Sequence, residues 1–346
     1  MTEPVAISMI GAGLIGERHA RLIRQMPGVR LASIVDPSED AKALADRFDT
    51  PWFADMAEML TRSRPEGVII ATPNRLHVDQ GLAAVRAGIP ALIEKPISDD
   101  ADAAEALVLE AEAAGVPLLV GHHRRHNPRV ARAKAALDTG RLGRIVAVHG
   151  FFWLLKPDDY FLADWRRAPG AGPVFINLIH DIDLLRHLCG DIEAVTAIES
   201  SATRGFDVED TFAALLRFRN GALGTITASD TIAAPWSWEL TAAENPAYSP
   251  TDQGCYFIGG TQASLSLPSG EVWEHRGAQG WWEPITAERT SAPPEDPLPR
   301  QIAHFAEVIR GDAEPLVTGR DGVAAVRVLQ ALKSSARTGR EEAVKT

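Results

Sequence analysis

Val5-Ala6-Ile7-Ser8-Met9-Ile10-Gly11-Ala12-Gly13-Leu14-Ile15-Gly16 is the stretch that decides the fold. Its first six residues are mostly apolar and end in glycine, as a buried parallel strand does. Leu14 to Met26 then carries apolar residues at helical spacing and stops before Pro27-Gly28. A GxGxxG alone is a weak signal, since glycines punctuate many turns. Here it joins a strand to a helix, and Asp36 follows at the end of a second strand, Leu31 to Val35, 20 residues after Gly16. That context is what a bound dinucleotide requires. Gly11 permits the tight turn, Gly13 lets the backbone approach a pyrophosphate, and Gly16 lets the helix pack close to the sheet. The helix N-terminus at Leu14 and Ile15 offers N–H groups and a positive dipole end to phosphates. A carboxylate at Asp36 accepts ribose hydroxyls and repels a 2′-phosphate, and Pro37-Ser38 rather than arginine follows it. NAD is therefore favoured over NADP. A capping role for Asp36 on the next helix is compatible with this.

Outward from this unit the alternation continues. A helix is expected from about Ser38, a strand over Gly67 to Ala71, a helix over Arg75 to Ala87, and a strand over Ala91 to Ile93. An alanine-rich helix, Asp99 to Ala114, ends at Gly115, and Pro117 to Val120 is the next strand. Alternation of this kind predicts an α/β fold with a doubly wound parallel sheet over residues 1–123. Beyond it the pattern changes to longer β-type runs: Ile145 to Phe152, Ala194 to Ser200, Thr211 to Phe218, Ala222 to Ser229 and Cys255 to Gly259. Arg219-Asn220-Gly221 marks a hairpin. Residues 124–346 thus read as a second, α+β domain with a mixed or antiparallel sheet. Ala292 to Pro299 reads as loop, with helices around Leu298 to Ile309 and Arg320 to Ala336.

A length of 346 residues fits about two domains. Hydrophobic residues at 45% and charged residues at 23% exclude a disordered, collagen-like or coiled-coil chain. The net charge of -11 argues against a nucleic-acid or anionic-membrane partner, since binding phosphates takes clustered cations. Cys189 and Cys255 form neither a CxxC pair nor a zinc pattern, so a reducing cytoplasm fits and a disulfide framework is not expected. Met1 to Pro4 has no basic or apolar leader character, and no apolar run approaches about 18 residues, so neither a signal peptide nor a membrane span is expected. His122, His123 and His126 lack a nearby Cys or Asp to complete a metal set, and no metal is expected.

Ala71-Thr72-Pro73-Asn74-Arg75-Leu76-His77, followed by Glu94-Lys95-Pro96, resembles the Gfo/Idh/MocA family, the group of glucose–fructose oxidoreductase, inositol dehydrogenase and rhizopine-catabolism proteins. The resemblance covers nearly the whole chain. It extends to Gly121-His122-His123-Arg124-Arg125-His126-Asn127-Pro128, to Trp165-Arg166, to Gly170-Ala171-Gly172-Pro173 leading to His180 and Asp183, and to Leu316-Val317-Thr318-Gly319-Arg320-Asp321-Gly322. It implies an N-terminal Rossmann domain, a C-terminal domain with a large open sheet, and substrate in the cleft between them. It also implies dimers or tetramers formed through the sheet's exposed face. Thr72, Pro73, Asn74, His77, Glu94, Lys95, Trp165 and Arg166 are then expected to contact the cofactor.

Oxidising a secondary alcohol sends a hydride to the nicotinamide and a hydroxyl proton to a base. Lys95 is the first candidate. It follows a buried strand at the carboxyl edge of the parallel sheet, where ligands bind in such folds, and a cis bond to Pro96 would fit. Alone it would read as a surface lysine; the flanking Glu94 and Pro96 and the nucleotide motif favour catalysis. His180 is the second candidate, in a helix framed by Pro173 and Gly190. An apolar-helix histidine is more often a core residue, but the family places its catalytic histidine here.

Many relatives have aspartate four residues before that histidine, where this chain has Ile176. Asn177 is a face neighbour able to hydrogen-bond a substrate hydroxyl but not to act as a base, and Asp183, on the same face at i+3, is able to orient the imidazole. Either His180 works with Lys95 alone or an acid from another segment substitutes. Arg124, His126 and Asn127 follow the domain crossover and are substrate-binding candidates. Equally, Asn127 and Pro128 mark a helix start. Trp165-Arg166 reads either as that cofactor-reaching pair or as a packed tryptophan with a solvated arginine. Most of the eight tryptophans are expected in a core or subunit interface.

The resulting expectation is an NAD-dependent oxidoreductase acting on a sugar, sugar acid or cyclitol. The alternatives are a dihydrodiol dehydrogenase, a lyase or glycosidase with permanently bound NAD, and a non-catalytic dinucleotide sensor.

Overall fold

The computed structural model describes residues 3–289 and 292–345. The chain divides into two compact units, Met1–His123 with Pro297–Val326 and Arg124–Asp296 with Arg327–Thr346.

In the first unit, strands β1 (Val5–Ile10), β2 (Val29–Val35), β3 (Trp52–Phe53), β4 (Gly67–Ile70), β5 (Ala91–Ile93) and β6 (Leu118–Val120) form a sheet in the order β3-β2-β1-β4-β5-β6. Every neighbouring pair is parallel. All residues of β1 and β4 are buried, which is why their sequences are continuous apolar runs rather than alternating ones. Helices α1 (Leu14–Gln25), α2 (Glu39–Arg47), α3 (Met56–Arg62), α4 (His77–Arg86) and α5 (Ala101–Ala114) lie in the connections. Helix α1 buries Gly16, His19, Ala20 and Ile23, one face at helical spacing. Helix α5 starts at its Asp100 cap and stops at Gly115, whose φ is 65°. β3 and α3 have no counterpart in the sequence reading, because two residues cannot show alternation and seven barely show helical periodicity. The helix expected from Arg75 opens instead with a 3-10 turn, Asn74–Leu76.

The strand order reverses at β1. The chain builds outward to β3, then crosses back to β4, so the loops after β1 and β4 open at the switch point where ligands bind in such sheets.

The second unit contains α6 (Pro128–Asp138), β7 (Ile145–Trp153), α7 (Ile179–Cys189), β8 (Ile192–Ser200), β9 (Thr211–Phe218), β10 (Leu223–Ser229), α8 (Trp238–Thr241), β11 (Tyr256–Gly260), β12 (Ala263–Leu267), β13 (Glu271–Glu274), β14 (Thr286–Arg289) and β15 (Glu342–Ala343). The sheet order is β14-β13-β12-β11-β7-β10-β9-β8-β15. β7 and β10 pair in parallel and the other neighbours are antiparallel. In β9, Phe212, Ala214, Leu216 and Phe218 are buried while Leu215 and Arg217 are exposed, the alternation of a sheet covered on one face. The hairpin at Arg219–Gly221 is present, with Gly221 at φ 85°.

The expectation of one second domain over residues 124–346 is corrected for residues 297–326, which fold with the first unit. Helix α9 (Pro297–Arg310) places Ile302, Phe305, Ala306 and Val308 in the same core as Val5, Ile7 and Met9. Helix α10 (Gly319–Thr338) begins against β6 and α5, where a Cβ on Gly319 would lie 2.7 Å from Val108. Burial of these apolar faces decides membership, and sequence distance does not. Helix α9 also starts inside the stretch read as loop, because Pro297 and Pro299 occupy its first turn, where a missing N–H costs nothing. Among the described residues no helix is long and apolar enough to cross a membrane.

Candidate active site

The glycine turn is built as its sequence requires. Gly11 has φ 89°, and a Cβ there would lie 2.7 Å from the Ala71 carbonyl oxygen. A Cβ on Gly16 would lie 2.1 Å from the Gly11 carbonyl oxygen. Gly13 differs: its φ is -65°, and nothing lies within 4 Å of an added Cβ. It is the N-cap of α1, no side chain caps that helix, and the adjacent Leu14 is 94% exposed. Ile15 is half-buried in the same turn. An open space beside Gly13, at an uncapped helix N-terminus, fits a pyrophosphate.

Asp36 closes this turn. Its Oδ2 accepts from the Ala12 N–H at 2.9 Å and its Oδ1 from the Ser38 N–H at 2.9 Å. Burial alone would raise its pKa, but the hydrogen bonds from Ser38 and Ala12 outweigh it and hold the carboxyl below the ordinary range. The cap of α2 is Ser38, whose Oγ accepts from the Ala41 N–H at 3.2 Å. Asp36 is thus an anchored, half-exposed anion at the end of β2, suited to ribose hydroxyls.

The loops after β4 and β5 are tied together. The His77 ring nitrogens lie 2.8 Å from the Thr72 and Pro96 carbonyl oxygens. Thr72 Oγ1 donates to Gln80 at 2.6 Å, and the Asn74 amide donates to Asp99 at 2.9 Å. Pro73, between them, is exposed. The Lys95–Pro96 bond is cis. Glu94 Oε1 lies 2.8 Å from His19 Nε2, and its Oε2 accepts from the Lys95 N–H at 3.2 Å. Burial opposes ionisation of Glu94, yet the His19 hydrogen bond and the charges of His19, His123 and Lys95 hold its pKa at about 2. His77 and Glu94, expected at the cofactor, are buried residues that position these loops. Thr72, Asn74 and Lys95 are half-buried and remain accessible. His19 escaped the sequence reading, although a polar residue on the Gly16-His19-Ala20-Ile23 face was a usable signal.

In the second unit a π turn, Val174–Leu178, leads into α7. Such turns are frequent at functional sites. It leaves Ile176 and Asn177 half-buried and places His180 in the first turn of α7. The Lys156 ammonium donates to Asn177 Oδ1 at 3.0 Å. The Asp183 carboxylate, read from the sequence as able to orient His180, is held by the Arg125 fork at 2.9 and 2.6 Å. A buried guanidinium needs a carboxylate, and the bidentate geometry satisfies it.

Arg124 donates to Glu239 at 2.6 Å and lies 3.5 Å from Asp181 Oδ1 and from the Tyr256 hydroxyl. Tyr256 also donates to Asp181. Burial pushes Asp181 up to about 6 despite Arg124, with Glu239 adding to the rise. Asn127 caps α6 by accepting from the Arg129 N–H at 2.9 Å, and its amide donates to Glu244 at 2.8 Å. Of the three crossover candidates, Arg124 and Asn127 are therefore buried and engaged internally, while His126 is half-buried.

Trp165 is 59% exposed, whereas the Arg166 guanidinium lies 4.0 Å from the Tyr160 ring centroid and donates to the Tyr160 carbonyl at 2.7 Å. This reverses the alternative of a packed tryptophan beside a solvated arginine. Of the second-unit tryptophans expected in a core or interface, Trp238 is core, while Trp236, Trp273, Trp281 and Trp282 are exposed. Among the described residues no group of three or more His, Cys, Asp or Glu is placed to hold a metal ion.

Residues 5–122 match the oxidoreductase family with an NAD-binding Rossmann fold, and residues 130–266 match the GFO/IDH/MocA C-terminal domain. The chain is similar to 1,5-anhydro-D-fructose reductase of Ensifer adhaerens, with 31% identity over 81% of this chain and 80% of that one. It is also similar to scyllo-inositol 2-dehydrogenase (NAD(+)) of Bacillus subtilis, with 26% identity over 98% and 96% of the two chains. Among solved structures it resembles the WlbA dehydrogenase from Bordetella pertussis in complex with NADH and UDP-GlcNAcA, at 25% identity and a TM-score of 0.79 over 99% and 100% of the chains.

Proposed function

This chain belongs to the Gfo/Idh/MocA family of NAD-binding oxidoreductases, and from that premise we propose that its substrate is a secondary alcohol of a sugar, sugar acid or cyclitol. The observation that carries the reading is the first unit's arrangement: room beside Gly13, an anchored Asp36, and Lys95 at the carboxyl end of β5. NAD, when bound, takes the hydride. The chain's own residues handle the proton and the charge. Lys95, its backbone N–H fixed on Glu94, stabilises the developing alkoxide. His180 takes the hydroxyl proton and returns it in the reverse direction. Ile176 offers no carboxylate to assist it. The names of the relatives, an anhydrofructose reductase and an inositol dehydrogenase, support substrates of this class.

The working unit of this reading is a homodimer or homotetramer in the cytoplasm, formed through the open face of the second-unit sheet. That face carries exposed Leu215, Leu223, Phe257 and Trp273, apolar side chains that a second copy would cover.

The test is absorbance at 340 nm with NAD or NADP and a panel of aldoses, sugar acids, inositols and cyclic dihydrodiols. Reduction of NAD by one of the first three groups is expected. Reduction by dihydrodiols alone, or silence across the panel with NAD tightly bound, overturns the reading.

A further inference from the structure

We propose that the substrate carries a carboxylate and that Lys156 and Asn177 bind it. This rests on the dehydrogenase reading above and narrows its substrate to a polyhydroxy acid rather than a neutral polyol.

Lys156 follows β7 and is 7% exposed. Its Nζ is 3.0 Å from Asn177 Oδ1. An ammonium only donates, so the amide oxygen of Asn177 must face it, and the amide NH2 points elsewhere. Among the described residues nothing accepts from that NH2. Asn177 is therefore a donor of fixed polarity, half-buried, in the π turn that leads three residues later to His180.

The charge around Lys156 is incomplete. Its nearest carboxylate oxygen, Asp230 Oδ2, is 3.7 Å away, and the Tyr160 ring centroid is 4.9 Å from its Nζ. The other oxygen of Asp230 accepts from Arg204 Nε at 3.0 Å. Arg204 also pairs with the exposed Asp158 at 3.5 Å, so the buried Asp230 carboxylate is shared between Lys156 and Arg204. Glu239, whose charge also reaches Lys156, is hydrogen-bonded by Arg124 at 2.6 Å. Burial lowers the Lys156 pKa in spite of Asp230 and Glu239, as happens to an ammonium whose compensation is partial. A buried cation in this state is stabilised by a further anion.

Ile176, beside Asn177, neither repels an anion nor accepts from a hydroxyl. The Lys156 ammonium and the Asn177 amide both present donors, and paired donors match a carboxylate rather than a ring of hydroxyls.

The experiment uses the full chain loaded with NADH and matched probes that differ only in the acid group: D-gluconate against D-glucitol, and D-glucuronate against D-glucose. Binding is read by calorimetry and turnover at 340 nm with NAD. The acids are expected to bind at least tenfold more tightly. Lys156→Met should lower acid affinity at least tenfold more than it lowers the affinity for the neutral probes. Asn177→Asp, which neutralises Lys156 from within and is isosteric, should abolish the preference even where Lys156→Met does not fold. Equal binding of acid and neutral probes overturns the carboxylate site, and if the neutral probes also reduce NAD the dehydrogenase reading survives. Tight acid binding with no reduction of NAD by any polyol or acid sustains the site and overturns the dehydrogenase reading.

Discussion

His19 Nε2 lies 2.8 Å from Glu94 Oε1, and both side chains are buried. The pair joins the helix that opens the glycine turn to the strand end that carries Lys95. One hydrogen bond therefore sets the nucleotide loop and the candidate catalytic lysine in a common frame.

Glu94→Gln removes the charge of that pair. The Glu94 pKa is depressed from 4.5 to about 2 in the folded chain. A depressed carboxylate contributes stability that is present in full above the unfolded value and lost as pH falls through the folded one. The wild type should exceed the variant by up to about 3 kcal/mol at pH 7. That gap should close as pH drops from 4.5 towards 2. Urea unfolding at a series of pH values reads it, and a gap independent of pH would show that Glu94 is not ionised in the fold.

Gly13→Ala and Gly16→Ala should separate binding from folding. The added methyl at Gly13 meets no protein atom and sits at φ -65°, so the melting temperature should hold while NAD affinity falls about tenfold or more. At Gly16 the methyl would lie 2.1 Å from the Gly11 carbonyl, so stability itself should drop. Thermal melts paired with NADH fluorescence titrations distinguish the two. Unchanged NAD affinity in Gly13→Ala would place the pyrophosphate elsewhere.

Asp36→Ala removes the acceptor for the Ala12 N–H and, with it, the carboxylate proposed to hold the ribose. NAD affinity should fall about tenfold or more, and NADP affinity should fall less or rise. Tighter wild-type binding of NADP than NAD would contradict the assigned role.

Lys95→Ala should lower kcat by roughly 10²- to 10⁴-fold and leave NAD binding largely intact. Full turnover in the variant would remove Lys95 from the mechanism.

The open sheet face should be covered in solution. Light scattering should give a dimer or tetramer, and Leu215→Glu with Phe257→Glu, both at exposed positions on that face, should shift it towards monomer. A monomeric wild type would leave this face without the assigned partner copy.

The sequence reading was strongest where the physics is local. The strand Val5–Ile10, the hairpin at Asn220-Gly221 and the Ser38 cap each depend on residues within a few positions of one another. It was weakest for β3, α3 and the short strands β12 to β15, which are too brief to display a period. Among candidate residues it singled out Lys95, His180 and Asn177 but neither His19 nor Lys156, whose partners Glu94 and Asn177 lie 75 and 21 residues away.

The amino-acid sequence by itself determined the glycine turn, the parallel sheet behind it and the acidic residue that favours NAD. These follow from backbone sterics and from the contiguity of strand, turn and helix. Tertiary structure alone decided that Glu94 pairs with His19 across 75 residues, that Asp183 takes the Arg125 fork across 58, and that Pro297–Val326 folds with the first unit. Buried charges and apolar faces take whichever partner packing brings within reach. That competition is settled only when distant segments meet, so no local spacing encodes it.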